Sequence, residues 1–291
     1  MKLFFQRHWT RATDWFGCWL TCDIEPVSTH TRFDFNRVRE QMQCADVLLV
    51  EGRSRVSRVI TTVTKSAWTH AALCIGSLNS LQDDALIEKI KPYYQGDPNE
   101  PLIIESMMGL GVIVAPLSRY QQFHIRICRP IGLPKNDAKQ VVSYAIQRLG
   151  QLYDNRHIFD LARFLLPWSL FPRRWRSSLF AYHAGVSTKL TCSLLVAEAF
   201  MSIHFPILPL VRSHTIKGFE FIRRNPKLFT PKDFDYSPYF QIIKYPVVEF
   251  SDDIPYTTVS WSDDDLVSND QNEIFIPKKI INPDEKDGTN E

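Results

Sequence analysis

Cys192, His70 and Glu105 are the side chains whose type and setting suggest chemistry. Cys192 follows Thr191 at the start of TCSLLVAEAFMSIHF (191–205), whose spacing predicts a helix apolar on nearly every side. With Thr191 as N-cap, Cys192 falls in the first turn. Free amide N–H groups and the positive end of the helix dipole there favour thiolate over thiol. A thiolate is a nucleophile, and the same amides can hold the oxyanion of a tetrahedral intermediate. The competing role is a small apolar residue that simply packs. His70 opens the apolar run AALCIG, and a buried imidazole needs partners for its nitrogens. A base beside Cys192 is one role; a strand-end histidine bonded to a loop is the other. Glu105 lies at the end of LIIES (102–106), where a buried carboxylate is costly unless paired. Bonded to a histidine N–H it would fix the tautomer and stabilise the imidazolium. Glu88 in ALIEKI is the rival acid, but Lys89 beside it suits a solvated edge.

These three residues need strands and a buried helix to hold them. ADVLLVEG (45–52) reads as a buried strand, and SRVSRVITTVTKS (54–66) as a helix with Ser54 as its cap. THAALCIG (69–76), ALIEKI (85–90), LIIES (102–106), GVIVAPL (111–117) and FHIRICR (123–129) read as strands of an antiparallel sheet or small barrel. Residues 34–43 and 134–150 read as helices, the second with Pro134 near its start and Gly150 at its end. Residues 215–245 are expected to form a helix and an irregular closing segment. The expected fold class is α+β.

The charge is uneven. Residues 251–291 carry eleven acids and three bases, net −8, which leaves +10 for residues 1–250 of a chain whose net charge is +2. The tail is expected to be disordered. The chain therefore divides into an N-terminal helical segment (1–43), a catalytic body (44–250) and an acidic tail (251–291). Two segments mix large apolar groups with arginine: 3–21, with Phe5, Trp9, Phe16 and Trp19 at helical spacing, and 156–180, with five arginines and one aspartate. Both suit an anionic membrane surface; for 3–21, packing on the body is an equal alternative. No run of about 18 uncharged apolar residues predicts a membrane span. Arg7, Arg11 and Asp14 interrupt any secretory leader. Six sparse cysteines lack zinc spacing, and Cys44, Cys74 and Cys128 sit in or beside apolar runs. A reducing, cytoplasmic setting is expected, with no metal, no cofactor and no nucleic-acid partner; the oligomeric state is left open.

DVLLVEGRSRVSRVITTVTKSAWTHAALCIG, then IIES, then YD at 153–154, then TCSLLVAEAF, in that order, resembles the YiiX-like branch of the NlpC-type papain superfamily. The resemblance covers roughly residues 44–205, and TPKDFDYSPYF (230–240) is similar to that family's closing segment. It implies a circularly permuted papain-like fold, with the histidine strand first, the acid next and the cysteine helix last. By position it implies Cys192 as nucleophile, His70 as base and Glu105 as orienting acid. Asp46 matches a recurrent structural aspartate, although Ala45 precedes it where glycine is usual. Tyr153 is expected to line the cleft, and Trp68, two residues before His70, to be the second substrate contact. The family's relatives include cell-wall peptide hydrolases, lipid acyltransferases and isopeptidases. The expected function is a cysteine hydrolase or acyltransferase acting on an amide, ester or thioester, with an acyl or peptide substrate and a slight preference for lipid-linked acyl groups. The alternative is a non-catalytic membrane-bound scaffold of the same fold.

Overall fold

The computed structural model describes residues 33–153, 189–214 and 218–249, with short pieces at 251, 253, 255–259, 267–268 and 274–275. Its elements, in chain order, are α1 (Phe35–Gln41), β1 (Val47–Val50), α2 (Arg55–Thr64), β2 (His70–Gly76), α3 (Asp84–Ile90), β3 (Leu102–Met107) and β4 (Gly111–Pro116). Then come β5 (Ile125–Pro130), α4 (Lys135–Ile146), β6 (Leu152–Tyr153), β7 (Lys189–Leu190) and α5 (Cys192–Met201). The series continues with β8 (Leu210–His214), β9 (Gly218–Ile222), α6 (Pro231–Tyr236) and β10 (Phe240–Ile243). All of these belong to one compact unit.

Six strands form an open sheet in the order β10-β5-β1-β2-β3-β4, every neighbouring pair antiparallel. Its edges, β10 and β4, do not pair with each other, so the sheet does not close into a barrel. The α+β class and the antiparallel sheet are as the sequence led one to expect. The central strands carry continuous apolar runs because both their faces are covered: β1 is buried throughout, and β2 at all but its end residues. Helix α5 packs on β2 and β3 and against α4. Leu194, Leu195, Val196, Ala197, Ala199 and Phe200 on it are fully buried, which is why the helix is apolar on nearly every side, Glu198 being the partly exposed exception that bonds to Tyr144.

Two elements differ from expectation. Residues 84–90 form α3, not a strand: Asp83 caps it, accepting from the amides of Ala85 and Leu86. A six-residue apolar run has no period of its own, so the cap decides. Glu88 is accordingly an exposed helix residue paired with Lys91 and far from catalytic work. Residues 210–243 hold an antiparallel hairpin (β8–β9), a short helix and a sheet strand in place of the expected helix and irregular segment. Cys44 is exposed, unlike Cys74 and Cys128, because it sits on the turn before β1 and not within the strand. The segments 3–21 and 156–180, with Cys18 and Cys22, lie outside the described residues.

The second unit, of which the structure describes residues 33–34 and pieces beyond Pro246, includes a 3₁₀ turn at Tyr256–Thr258. It also includes a two-stranded antiparallel pair, β11 (Val267–Ser268) and β12 (Ile274–Phe275). These short elements fall within the acidic stretch expected to lack structure.

Asp46 anchors the entry to β1. Its carboxylate is buried and takes two bonds from Arg129, Nε to Oδ1 at 2.9 Å and Nη2 to Oδ2 at 2.8 Å, and one from the Gln43 amide at 2.8 Å. Ala45 before it adopts φ 68°, a left-handed conformation that glycine takes without the ~1 kcal/mol Cβ penalty. Breaking a buried pair by deleting one partner costs about 3–5 kcal/mol. The Arg129 side chain keeps 23% of its exposure, which moderates the loss. Asp46→Ala is therefore expected to destabilise by about 2–4 kcal/mol in urea unfolding. A loss below about 0.5 kcal/mol, the range of an ordinary surface substitution, would contradict a structural role.

Candidate active site

Three separate elements bring Cys192, His70 and Glu105 together. Thr191 is the N-cap of α5: its backbone is extended and its Oγ1 accepts from the Leu194 amide at 3.4 Å. Cys192 is thus the first residue of the helix, with no intrahelical acceptor for its own amide or that of Ser193. Parallel pairing of Tyr153 with Leu190 in β6–β7 fixes the chain just before this turn. Thr191→Ala is expected to cost about 0.5–1 kcal/mol in thermal or urea unfolding, as a long cap bond should.

His70 begins β2, and Glu105 sits on the adjacent strand β3. Leu73 opposes Ile104 across the pair. His70 lies three residues from Leu73, and Glu105 one from Ile104, so both point to the opposite face from that pair. Their side chains meet there, His70 Nε2 to Glu105 Oε2 at 2.6 Å. Glu105 is fully buried. A charge there survives only because it is paired: the Tyr120 hydroxyl donates to the same oxygen at 2.5 Å, and Arg119 Nη1 stands 3.9 Å from Oε1. Burial raises the carboxyl pKa, but the His70 bond and charge, then Tyr120 and Arg119, outweigh it and hold the group below its ordinary value.

Nε2 is held by Glu105, which leaves Nδ1 as the free ring nitrogen; His70 and Cys192 share one cleft wall, and each shifts the other's titration. Burial disfavours both charges, yet each ion stabilises the other. The imidazolium, aided by the Ala71 and Ser193 amides at the sulfur, lowers the thiol pKa. The thiolate and Glu105 push that of His70 up to about 10. Both shifts favour the thiolate–imidazolium form over the neutral pair, and Glu105 supports the imidazolium. The Cys192 residue is 8% exposed, enough for a substrate carbonyl to reach it.

The pair opens on a cleft of about 280 Å³ whose walls include Arg53, Ser57, Met108, Arg119, Tyr120 and Phe123. A larger hollow of about 820 Å³ beside α3 and α4 holds neither His70 nor Cys192. Among the described residues, no group of three or more His, Cys, Asp or Glu side chains could hold a metal ion. No described helix is long and apolar enough to cross a membrane.

Trp68 is a correction to the expected substrate contacts. Its indole is buried, donates to Asp235 Oδ2 at 3.1 Å, and packs under the Arg126 guanidinium and beside His124. It ties α6 to the sheet and does not line the cleft. Tyr153 ends β6, two residues in register from Cys192, but its side chain lies outside the described residues. Tyr120 and Arg119 were missed. They lie in the 3₁₀ turn Leu117–Tyr120, where the only signal is the spacing of two buried groups, Leu117 and Tyr120, three residues apart.

No protein-family model matches the chain, and neither does any curated protein. Among solved structures it is similar to the crystal structure of the metalloprotein yiiX from Escherichia coli O157:H7, DUF1105. The identity is 15% and the TM-score 0.43, over 70% of this chain and 98% of that one. A likeness at that level bears on neither substrate nor mechanism.

Proposed function

We propose that the protein is a cysteine hydrolase or acyltransferase of the permuted papain-like kind, with Cys192 as nucleophile, His70 as base and Glu105 as the acid that orients it. One observation carries this reading: a fully buried carboxylate bonded at 2.6 Å to an imidazole that shares a cleft wall with a helix-opening thiol. A cysteine chosen for packing alone has no use for a buried ion pair behind it. In the proposed reaction the thiolate attacks an acyl carbonyl and the first-turn amides hold the oxyanion. His70 then protonates the leaving group, and water or an acceptor releases the acyl group.

Intact-protein mass spectrometry after mixing with p-nitrophenyl acetate tests the reading. One acetyl group should appear, mapped to Cys192, and should vanish in Cys192→Ala. A wild-type protein that acquires none, or a mutant that acquires as much, would sink the proposal. The proposal extends to lipid-linked substrates and to an anionic membrane surface recognised by 3–21 and 156–180, whose sequences mix large apolar groups with arginine. Co-sedimentation with anionic vesicles at low and high salt decides that part.

A further inference from the structure

The walls of the cleft carry two arginines, Arg53 and Arg119, and no aspartate or glutamate. Arg53 is only 9% exposed. Its guanidinium donates to the Gln122 carbonyl and sits 4.5 Å over the Phe123 ring, which fixes it in place. Among the described residues no carboxylate pairs with it. A nearly buried cation without a counter-charge is costly, so its retention at a cleft wall points to an anion that arrives from outside. Arg119 is 41% exposed and makes no hydrogen bond among the described residues. Its nearest acid is Glu105, whose Oε2 is taken by His70 and Tyr120 and whose Oε1, without a hydrogen bond of its own, stands 3.9 Å from Arg119 Nη1, an ion pair too long to be a hydrogen bond. Its charge supports Glu105, but its N–H donors remain unused among the described residues, and that fork fits carboxylate and phosphate oxygens in pairs. Val56, Ile60, Met107 and Met108 supply apolar wall to the same cleft.

Resting on the proposed thiol chemistry, we infer that the cleft selects acyl substrates carrying an anionic group, carboxylate or phosphate, a few atoms from the carbonyl that Cys192 attacks. Arg119 binds that group directly, and Arg53 adds a fixed positive field. The apolar wall takes the rest of the acyl compound.

Iodoacetyl reagents test this without knowledge of the natural substrate. The Cys192 thiolate displaces iodide: the C–S bond forms as the C–I bond breaks, and iodide leaves with the electron pair. One arm uses N-iodoacetyl derivatives of glycine, β-alanine and 4-aminobutyrate. A second uses the matching aminoalkylphosphonates, and a third the neutral N-methylamides. Alkylation of Cys192 is followed by peptide mass spectrometry, each rate normalised to that of glutathione with the same reagent. The anionic reagents should react at least about tenfold faster than their neutral counterparts, with one spacer length best. A phosphonate arm that outruns the carboxylates would identify a phosphate-bearing substrate, and the reverse a carboxylate. Arg119→Gln should cut the anionic-to-neutral ratio at least about fivefold, Arg119→Lys should keep part of it, and 0.5 M salt should weaken it. The ratio separates binding from positioning: an effect relayed through Glu105 and His70 would slow every arm alike. A wild-type ratio near one, or a ratio untouched by Arg119→Gln, overturns this inference and leaves the thiolate reading standing. If no reagent modifies Cys192 faster than glutathione, the thiolate reading fails and this inference fails with it.

Discussion

Cys192→Ala is expected to reduce acyl-enzyme turnover by on the order of 10⁴-fold or more, because among the described residues no hydroxyl on the cleft wall is hydrogen-bonded to His70 to be activated in its place. The fold should survive. Alanine suits the first turn of α5, whose stability comes from its buried apolar residues and the Thr191 cap. Its far-UV spectrum and urea midpoint should therefore stay close to those of the wild type. The pH profile of the wild-type protein identifies the thiolate. Activity rises as Cys192 loses its proton, at a pH below the ordinary thiol value because its pKa is lowered. It falls when His70 loses the proton that makes it an acid, near pH 10. Between these limits a plateau is expected. An ordinary thiol with a pKa near 8.5 loses about a hundredfold in thiolate between pH 8 and 6. The exposed Cys44 should lose at least that much in iodoacetamide reactivity, whereas Cys192 should lose distinctly less. In His70→Ala the difference between the two cysteines should disappear. If Cys192 in the wild type follows the same curve as Cys44, no ion pair exists.

Cys192, His70 and Glu105 stood out in the sequence because each broke a local rule. His70 and Glu105 are ionisable groups in strands written mostly in apolar residues, and Cys192 stands beside a capping threonine at the head of a helix apolar on nearly every side. Such violations cost free energy unless partnered, so they mark positions where the fold is doing something besides packing. Arg119 and Tyr120 broke no rule. A short turn between strands tolerates arginine and tyrosine anywhere, and only the three-dimensional path of that turn brings them to Glu105. Trp68 misled for a related reason. Proximity to His70 in sequence suggested proximity to substrate, but successive residues at a strand start point different ways, and the indole went to Asp235 and Arg126. The elements misread, α3 and the β8–β9 hairpin, are short and mostly exposed, so the burial periodicity that identifies a strand or a helix is faint in both.

Glu105→Gln should be the most informative single change after loss of the sulfur, with a fall in kcat on the order of 10³-fold. The side chains match in shape, and the amide can accept from the His70 ring and from Tyr120 through its oxygen. What it removes is the charge. Glu105 has no exposure to solvent, so its negative charge acts on His70 through protein rather than water and is poorly screened. Without it the imidazolium loses its support, His70 titrates lower, and the alkaline limb of the activity profile should move toward neutrality. Glu105→Ala does something different. It strands the Tyr120 hydroxyl and the His70 Nε2, and should add a stability loss of about 3–5 kcal/mol, as breaking a buried pair does. The stability has its own pH signature. Because the folded carboxyl pKa lies below its ordinary value, the stabilisation is full above the unfolded pKa of about 4.3 and is lost as pH falls through the lower, folded one. Acid unfolding followed by tryptophan fluorescence should therefore show part of the wild-type transition below pH 4.3, and Glu105→Gln should lack that part. If Glu105→Gln matched the wild type in both kcat and its alkaline limb, Glu105 would be a buried structural acid, and His70 would owe its protonation to the sulfur alone.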